Sequence, residues 1–292
     1  MSGKAMSLKA KIRNLARKKD MSAQVVLQNY MFERFLERLS KSTHKDKFIL
    51  KGGMLIAAPV GIDNRATMDM DATIKNYPID NDSISKVIKE ICNISIDDDV
   101  TFTFISVDAI RDDDAYGGYR VSIVSEYYAI TTPMQIDITT GDAITPKEVL
   151  YLYKMIFQEG NICVWAYNIE TVLAEKVETI LRRGEVNTRP RDFYDVYILT
   201  KTQSFDLLVF KEALKSTAAH RQTSHIFNDV SKRIYEIQNS QILKNRWSKY
   251  TRDYRYAKNI EYDDIIDVLR NLVLEIKRRR CFKTVEGKTS LG

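Results

Sequence analysis

Between residues 22 and 39, apolar side chains (Val25, Val26, Tyr30, Phe32, Phe35, Leu36, Leu39) recur at helical spacing, which predicts a long amphipathic helix. An apolar approach segment, Phe48-Ile49-Leu50, leads into Lys51-Gly52-Gly53. This reads as a glycine turn opening a short helix that ends around Pro59 and Gly61. Over 65–74 the pattern changes to an alternation rich in Thr, Met and Ile, which predicts a strand. A helix over 83–92 follows, then strand-like runs at 100–107, 119–130 and 134–139. Asp112-Asp113-Asp114 and Gly117-Gly118, between the first two runs, read as a solvated hairpin loop. Shorter strands are expected at 149–156 and 162–165. Past residue 168 the period is helical, over 169–183 and, after the break at Pro190, over 191–200, 206–218, 228–247 and 262–279. No Gly/Ser-rich linker intervenes. The pattern predicts an α+β region with N-terminal helices over 1–167 and a helical region over 168–292.

Composition narrows the class. Of 292 residues, 44% are hydrophobic and 29% charged, the balance of a globular protein. No apolar run approaches the roughly 18–20 residues needed to cross a bilayer. The basic N-terminus is not followed by the apolar stretch of a secretion signal, so the expected location is the cytoplasm. Cys92, Cys163 and Cys281 are odd in number and far apart, which argues against a disulfide framework or a zinc ladder. His44, His220 and His225 offer no ligand spacing either. The net charge of +6 conceals an asymmetry: residues 63–142 are rich in Asp, whereas the first twenty residues and those after Lys244 are basic. An acidic middle between basic ends suits a metal centre framed by surfaces that attract phosphate.

The candidate chemistry starts at Asp69 and Asp71. On a strand, residues i and i+2 share a face, about 6.5–7 Å apart. Two carboxylates held together in this way repel unless a cation lies between them, and Mg²⁺ suits such a pair. Gly52-Gly53, at the mouth of a helix, can offer backbone N–H groups to a phosphate, or can be a simple turn. Asp137 lies between Ile136 and Ile138, and is either a third carboxylate of the centre or an exposed residue of an outer strand. Lys176 and Arg183 fall on one flank of the apolar stripe Leu173, Val177, Ile180, Leu181, where they either grip a triphosphate or snorkel at a core edge. Asp192 and Asp195 share the first turn of the helix opened by Pro190, where acidic groups also suit the helix dipole. Near the C-terminus, Lys244, Arg246, Lys249, Arg252, Arg255 and Lys258 interleave with Trp247, Tyr250, Tyr254 and Tyr256. Such a surface fits RNA, although aromatics at helical spacing also build cores. Gly287-Lys288-Thr289 lacks the upstream glycine of a phosphate-binding loop and reads as tail.

Taken in order, Lys51-Gly52-Gly53, Arg65-x-Thr67-x-Asp69-x-Asp71, Asp137, Ala174-Glu175-Lys176 and Arg191-Asp192-Phe193-Tyr194-Asp195 resemble the AbiEii/AbiGii toxin family of abortive phage infection and type IV toxin–antitoxin systems. The resemblance covers 48–199. It implies a DNA polymerase β-like nucleotidyltransferase fold, α+β with a mixed sheet, followed by a helical C-terminal region. It further implies a nucleoside triphosphate substrate, Mg²⁺ or Mn²⁺ at Asp69 and Asp71 with Asp137 as the less secure ligand, and phosphates at Gly52, Gly53, Lys176 and Arg183. Asp192 and Asp195 would be further catalytic carboxylates. The expected activity is transfer of NMP to an RNA, tRNA in first place, with a cognate antitoxin encoded nearby. A kinase or protein-nucleotidylating enzyme on the same site, and a non-catalytic RNA-binding protein, are the alternatives. One departure stands out: polymerase-like relatives often carry Gly-Ser at the phosphate turn, where this chain has Gly-Gly.

Overall fold

The computed structural model describes residues 3–75, 80–110 and 117–277. Two N-terminal helices come first, α1 (Gly3–Lys18) and α2 (Ala23–Lys41). The second starts where the Ser22 side chain accepts the Gln24 N–H, and it buries Val26, Phe32, Phe35 and Leu36. The segment 48–51, expected only as an approach, is strand β1 (Phe48–Lys51) at the heart of the sheet. Then come α3 (Gly52–Val60), β2 (Met70–Ile74) and α4 (Asn81–Cys92). The strands β3 (Val100–Ile110), β4 (Gly118–Tyr127), β5 (Ile130–Thr140), β6 (Val149–Lys154) and β7 (Asn161–Ala166) follow. The expected hairpin tip at 112–114 lies outside the described residues, as do the 287–289 tail and Cys281.

All seven strands form one mixed sheet in the order β3-β4-β5-β2-β1-β7-β6. β1 runs antiparallel to β2 and parallel to β7, while β2 runs parallel to β5. The apolar positions of β2 and β5 (Met70, Ala72, Ile74; Ile136, Ile138) are buried by the pleat's two-residue period. The chain turns helical after Ala166: α5 (Ile169–Arg183), α6 (Pro190–Thr202), α7 (Leu207–His220), α8 (Val230–Asn239), α9 (Gln241–Asp253) and α10 (Tyr262–Lys277). The helix expected over 228–247 is in fact two, because Ser240 is non-helical and caps α9 by accepting the Leu243 N–H. The strand expected from residue 65 begins only at Met70. Residues 65–69 are instead a loop held by side chains: Asn29 donates to the Thr67 carbonyl (3.0 Å) and Tyr194 to that of Asn64 (2.5 Å). The α+β expectation with a mixed sheet holds. No helix among the described residues is long and apolar enough to cross a membrane.

Candidate active site

Register assembles the site. Because β1 and β2 are antiparallel, Lys51 at the end of β1 stands beside Asp71 at the start of β2. Because β2 and β5 are parallel, Asp71 also stands beside Asp137, and Asp137 beside Arg120 of β4. Directly opposed residues share a face, so Lys51, Asp71, Asp137 and Arg120 make one charged row across four strands. Gly52, one residue past Lys51, lies against the Asp71 carboxylate. A Cβ on Gly52 would stand 1.9 Å from Asp71 Oδ2, and its φ of +67° is one that L side chains rarely adopt. Gly53 donates its N–H to the same oxygen at 3.4 Å. A Cβ there would meet Thr67 Oγ1 at 2.6 Å and the Arg65 guanidinium at 3.1 Å. The space a side chain would need at Gly53 is therefore already taken by a threonine hydroxyl from the next loop.

Gly52→Ala is expected to push the Asp71 carboxylate out of place and to abolish nucleotide transfer. The left-handed backbone adds a stability cost of about 1–2 kcal/mol. Thermal melting and an activity assay on one preparation test it; wild-type activity in this variant would show that Asp71 does not need the close approach.

A cleft of about 670 Å³ opens over this end of the sheet. It is lined by Gly52, Gly53, Arg65, Thr67, Asp69 and Asp71 at the sheet end and by Lys176 from α5. The rest of its lining comes from 188–192 and from Arg246, Lys249, Tyr250, Asp253 and Tyr254. Asp69 sits just before β2 and is exposed, whereas Asp71 is half-buried, so the two reach the cleft from a loop and a strand rather than as strand alternates. Burial, and then Asp137, push the Asp71 carboxyl above its ordinary range; Lys51 and Lys176 work against that shift. Among the described residues no three His, Cys, Asp or Glu side chains gather as a metal-holding group. The donor set present, two carboxylates at an open cleft, suits Mg²⁺, which takes one or two carboxylates and completes its shell with water and substrate phosphates.

Lys176 is anchored in the cleft by two carboxylates. Its Nζ donates to Asp192 Oδ1 at 2.6 Å and lies 3.3 Å from Asp195 Oδ2. Burial opposes its charge, but Asp192 and Asp195 outweigh this and hold it protonated. Asp195, fully buried, also receives Arg65 Nε at 2.6 Å and Nη2 at 3.2 Å. Burial works against the Asp195 carboxylate too, yet Arg65 and Lys176 keep its pKa low. Arg65, 2% exposed, additionally donates to the Ala66 carbonyl. One guanidinium thus ties the loop below the Gly-Gly turn to α6.

Of the candidates, Gly52, Gly53, Asp69, Asp71, Lys176 and Asp192 line the cleft. Asp195 lies behind Lys176 and touches it. Asp137 neighbours Asp71 in register, but its two oxygens accept from Arg120 Nε and Nη2 at 2.8 and 2.7 Å. Arg183 is not among the lining residues. Sequence reasoning left out Arg65, Thr67 and Arg189 as site residues. Arg65 and Thr67 belong to the Arg-x-Thr-x-Asp-x-Asp run, and their alternation was the available signal. Of the basic-aromatic residues near the C-terminus, Trp247 and Tyr250 are core, 4% exposed each, while Arg246, Lys249, Tyr250 and Tyr254 wall the cleft.

Behind the row, Lys51 donates to Asp142 at 2.5 Å and to Thr139 at 2.7 Å, and Tyr167 and Thr139 each donate to Asp142 at 2.7 Å. Burial raises the Asp142 pKa, but Lys51 and these hydroxyls hold it down at about 2. A depressed carboxyl stabilises the fold above its unfolded pKa and loses that contribution as pH falls through the folded value. Roughly 2 kcal/mol should vanish between about pH 5 and pH 2. Asp142→Asn is expected to flatten that part of the stability–pH curve, as read by urea unfolding; an unchanged curve would remove Asp142 from the account.

A Gly-Gly turn, two carboxylates and an anchored lysine in one cleft suit a nucleotidyltransferase. The chain belongs to the family described as nucleotidyl transferase AbiEii toxin of type IV toxin–antitoxin systems, which matches residues 34–268. Membership makes a nucleoside triphosphate the implied substrate and an antitoxin the implied partner. Among solved structures, JHP933 from Helicobacter pylori aligns with a TM-score of 0.52 at 16% identity, over 87% of this chain and 92% of that one. A candidate nucleotidyltransferase from H. pylori aligns with a TM-score of 0.49 at 15% identity, over 88% and 96%. No curated protein matches.

Proposed function

We propose that this toxin transfers a nucleoside monophosphate from a triphosphate to the end of an RNA, tRNA in first place, in a metal-dependent reaction that serves phage defence by abortive infection. The carrying observation is the convergence of Gly52, Gly53, Asp69, Asp71 and Lys176 on one open cleft that Arg189, Arg191, Lys249, Tyr250 and Tyr254 also line.

The Gly52-Gly53 turn, at the positive end of the nine-residue α3, receives phosphate oxygens that no Cβ blocks. Asp69 and Asp71 are the residues that would hold Mg²⁺ or Mn²⁺, which when bound stabilises charge on the attacking and leaving oxygens. Asp137, beside Asp71, would join them with the lone pairs that Arg120 leaves free. Lys176 faces the departing pyrophosphate and offsets its charge; Asp192 and Asp195 keep its ammonium aimed and protonated. Arg189, Arg191 and Lys249 give the rim the cations that an RNA backbone needs. An acceptor hydroxyl attacks the α-phosphorus, the bond to the bridging oxygen breaks, and pyrophosphate leaves.

The test is incubation with total RNA, Mg²⁺ and each α-labelled triphosphate, beside an Asp69→Ala, Asp71→Ala control. Label on a discrete small RNA, absent from the control, is the expected result. Label on protein alone would support nucleotidylation of a protein target instead, and label on nothing would leave a nucleic-acid-binding role.

A further inference from the structure

Four aromatic rings form a cluster between the helical core and the cleft. Trp247 stacks on Tyr250 with centroids 5.4 Å apart and planes 27° off parallel. Tyr250 lies 4.6 Å from Tyr254 at 35°, and Tyr254 lies 5.5 Å from Tyr256 at the same angle. The inner members are satisfied as core: the Trp247 indole donates to the Ile260 carbonyl, and the Tyr250 and Tyr256 hydroxyls pair at 3.0 Å. Tyr250 and Tyr254 both line the cleft, but Tyr250 is buried whereas Tyr254 is half-buried, and Arg191, another lining residue, donates to the Tyr254 hydroxyl at 3.3 Å and lies 5.9 Å from its ring centroid. A ring in contact with two others and held by a guanidinium is a preorganised stacking surface.

We propose that Tyr254 is the platform for the nucleobase of the incoming triphosphate, with Arg191 holding the ring and bordering the base. This rests on the nucleotidyl-transfer reading. If the phosphates occupy Gly52-Gly53 and Lys176, the part of the cleft left to the base is lined by residues that include Tyr254. The cleft volume is within the range of sites that enclose a small ligand. Base–aromatic stacking tolerates any base, so Tyr254 supplies affinity, while polar groups beside it, Lys249 and Asp253 among them, are placed to discriminate bases by their edges.

The experiment compares binding of ATP, CTP, GTP and UTP with binding of inorganic tripolyphosphate, all with Mg²⁺, by calorimetry on wild-type, Tyr254→Ala and Tyr254→Phe proteins. Tripolyphosphate carries the phosphate chain without a base and reports whether the cleft is intact. Tyr254→Ala is expected to weaken the preferred nucleotide about tenfold or more and to leave tripolyphosphate unchanged. Tyr254→Phe, which keeps the ring, should bind the nucleotide nearly as the wild type does. Equal losses on both ligands would reduce Tyr254 to a structural residue and overturn the proposal, as would an unchanged nucleotide affinity. Loss of affinity for a single-stranded RNA oligonucleotide alone would assign the ring to the acceptor and overturn it equally. A wild-type protein that binds neither nucleotide nor tripolyphosphate would sink the transfer reading itself, an outcome distinct from any failure at Tyr254.

Discussion

Asp71→Asn is expected to reduce nucleotide transfer about a thousandfold while leaving the melting temperature unchanged or higher. The loss of activity follows from the several kcal/mol that a bound divalent cation contributes to a phosphoryl transition state, which an amide cannot anchor. The retained stability follows from the surroundings. The carboxylate is half-buried, accepts one long bond from Gly53, and its pKa is raised by burial first and by Asp137 next, over the opposing pull of Lys51 and Lys176. A raised acid pKa means that the ionised form is disfavoured in the fold, so the charge costs stability at pH values above the folded pKa. A neutral amide of the same shape removes that cost. Differential scanning calorimetry at pH 7 beside the labelled-nucleotide assay separates the two effects. A variant that melts well below the wild type yet transfers nucleotide would mean that Asp71 is structural.

The second large effect is expected at Arg65 and Asp195, and here stability and activity fall together. Both side chains are essentially buried, at 2% and 0% exposure. Removing Arg65 leaves Asp195 with Lys176 alone and costs less than removing Asp195, which leaves the Arg65 guanidinium without a carboxylate away from water, a loss of about 3–5 kcal/mol. For a chain of this size that is a drop of roughly 10 °C in melting temperature. Transfer is lost as well, because Asp195 helps to aim Lys176 and Arg65 underlies the Gly-Gly turn. The paired replacement Arg65→Met with Asp195→Leu should recover much of the stability of either alanine variant, since a buried ion pair can be replaced by apolar groups of similar bulk. It should not recover transfer. A paired variant that regains activity would show that the ion pair only props the fold.

How much of this was legible beforehand depended on the range of the interaction. The helices α2, α4, α5 and α7 follow from periodicity to within two or three residues, because a stripe of apolar side chains needs no knowledge of its partner. Where local pattern misled, tertiary contacts had intervened. The alternation over 65–69 has the look of a strand, but the loop's bonds to Asn29 and Tyr194, far away in sequence, remove it from the sheet. The run 228–247 has one helical period, yet the Ser240 cap breaks it into two helices. β1 was too short to declare itself among its neighbours.

By itself the sequence determined the class of element at most positions, the order of the motifs, and the residue types able to hold phosphate and a divalent cation. Those are local properties, carried by spacing and side-chain chemistry. Only the tertiary structure decided which motifs meet. The parallel pairing of β2 with β5 sets Asp137 beside Asp71, while Arg120 across β4 takes up its carboxylate. The packing of α6 on α5 divides two acidic residues three apart, Asp192 in the cleft and Asp195 sealed behind it against Arg65. The return of α9 makes what looked like a separate basic surface part of the lining of the same cleft. Strand register and helix packing join residues more than a hundred positions apart, and burial then sets which charges are paired and which face the ligand. Neither is encoded in any window of the chain shorter than the fold itself.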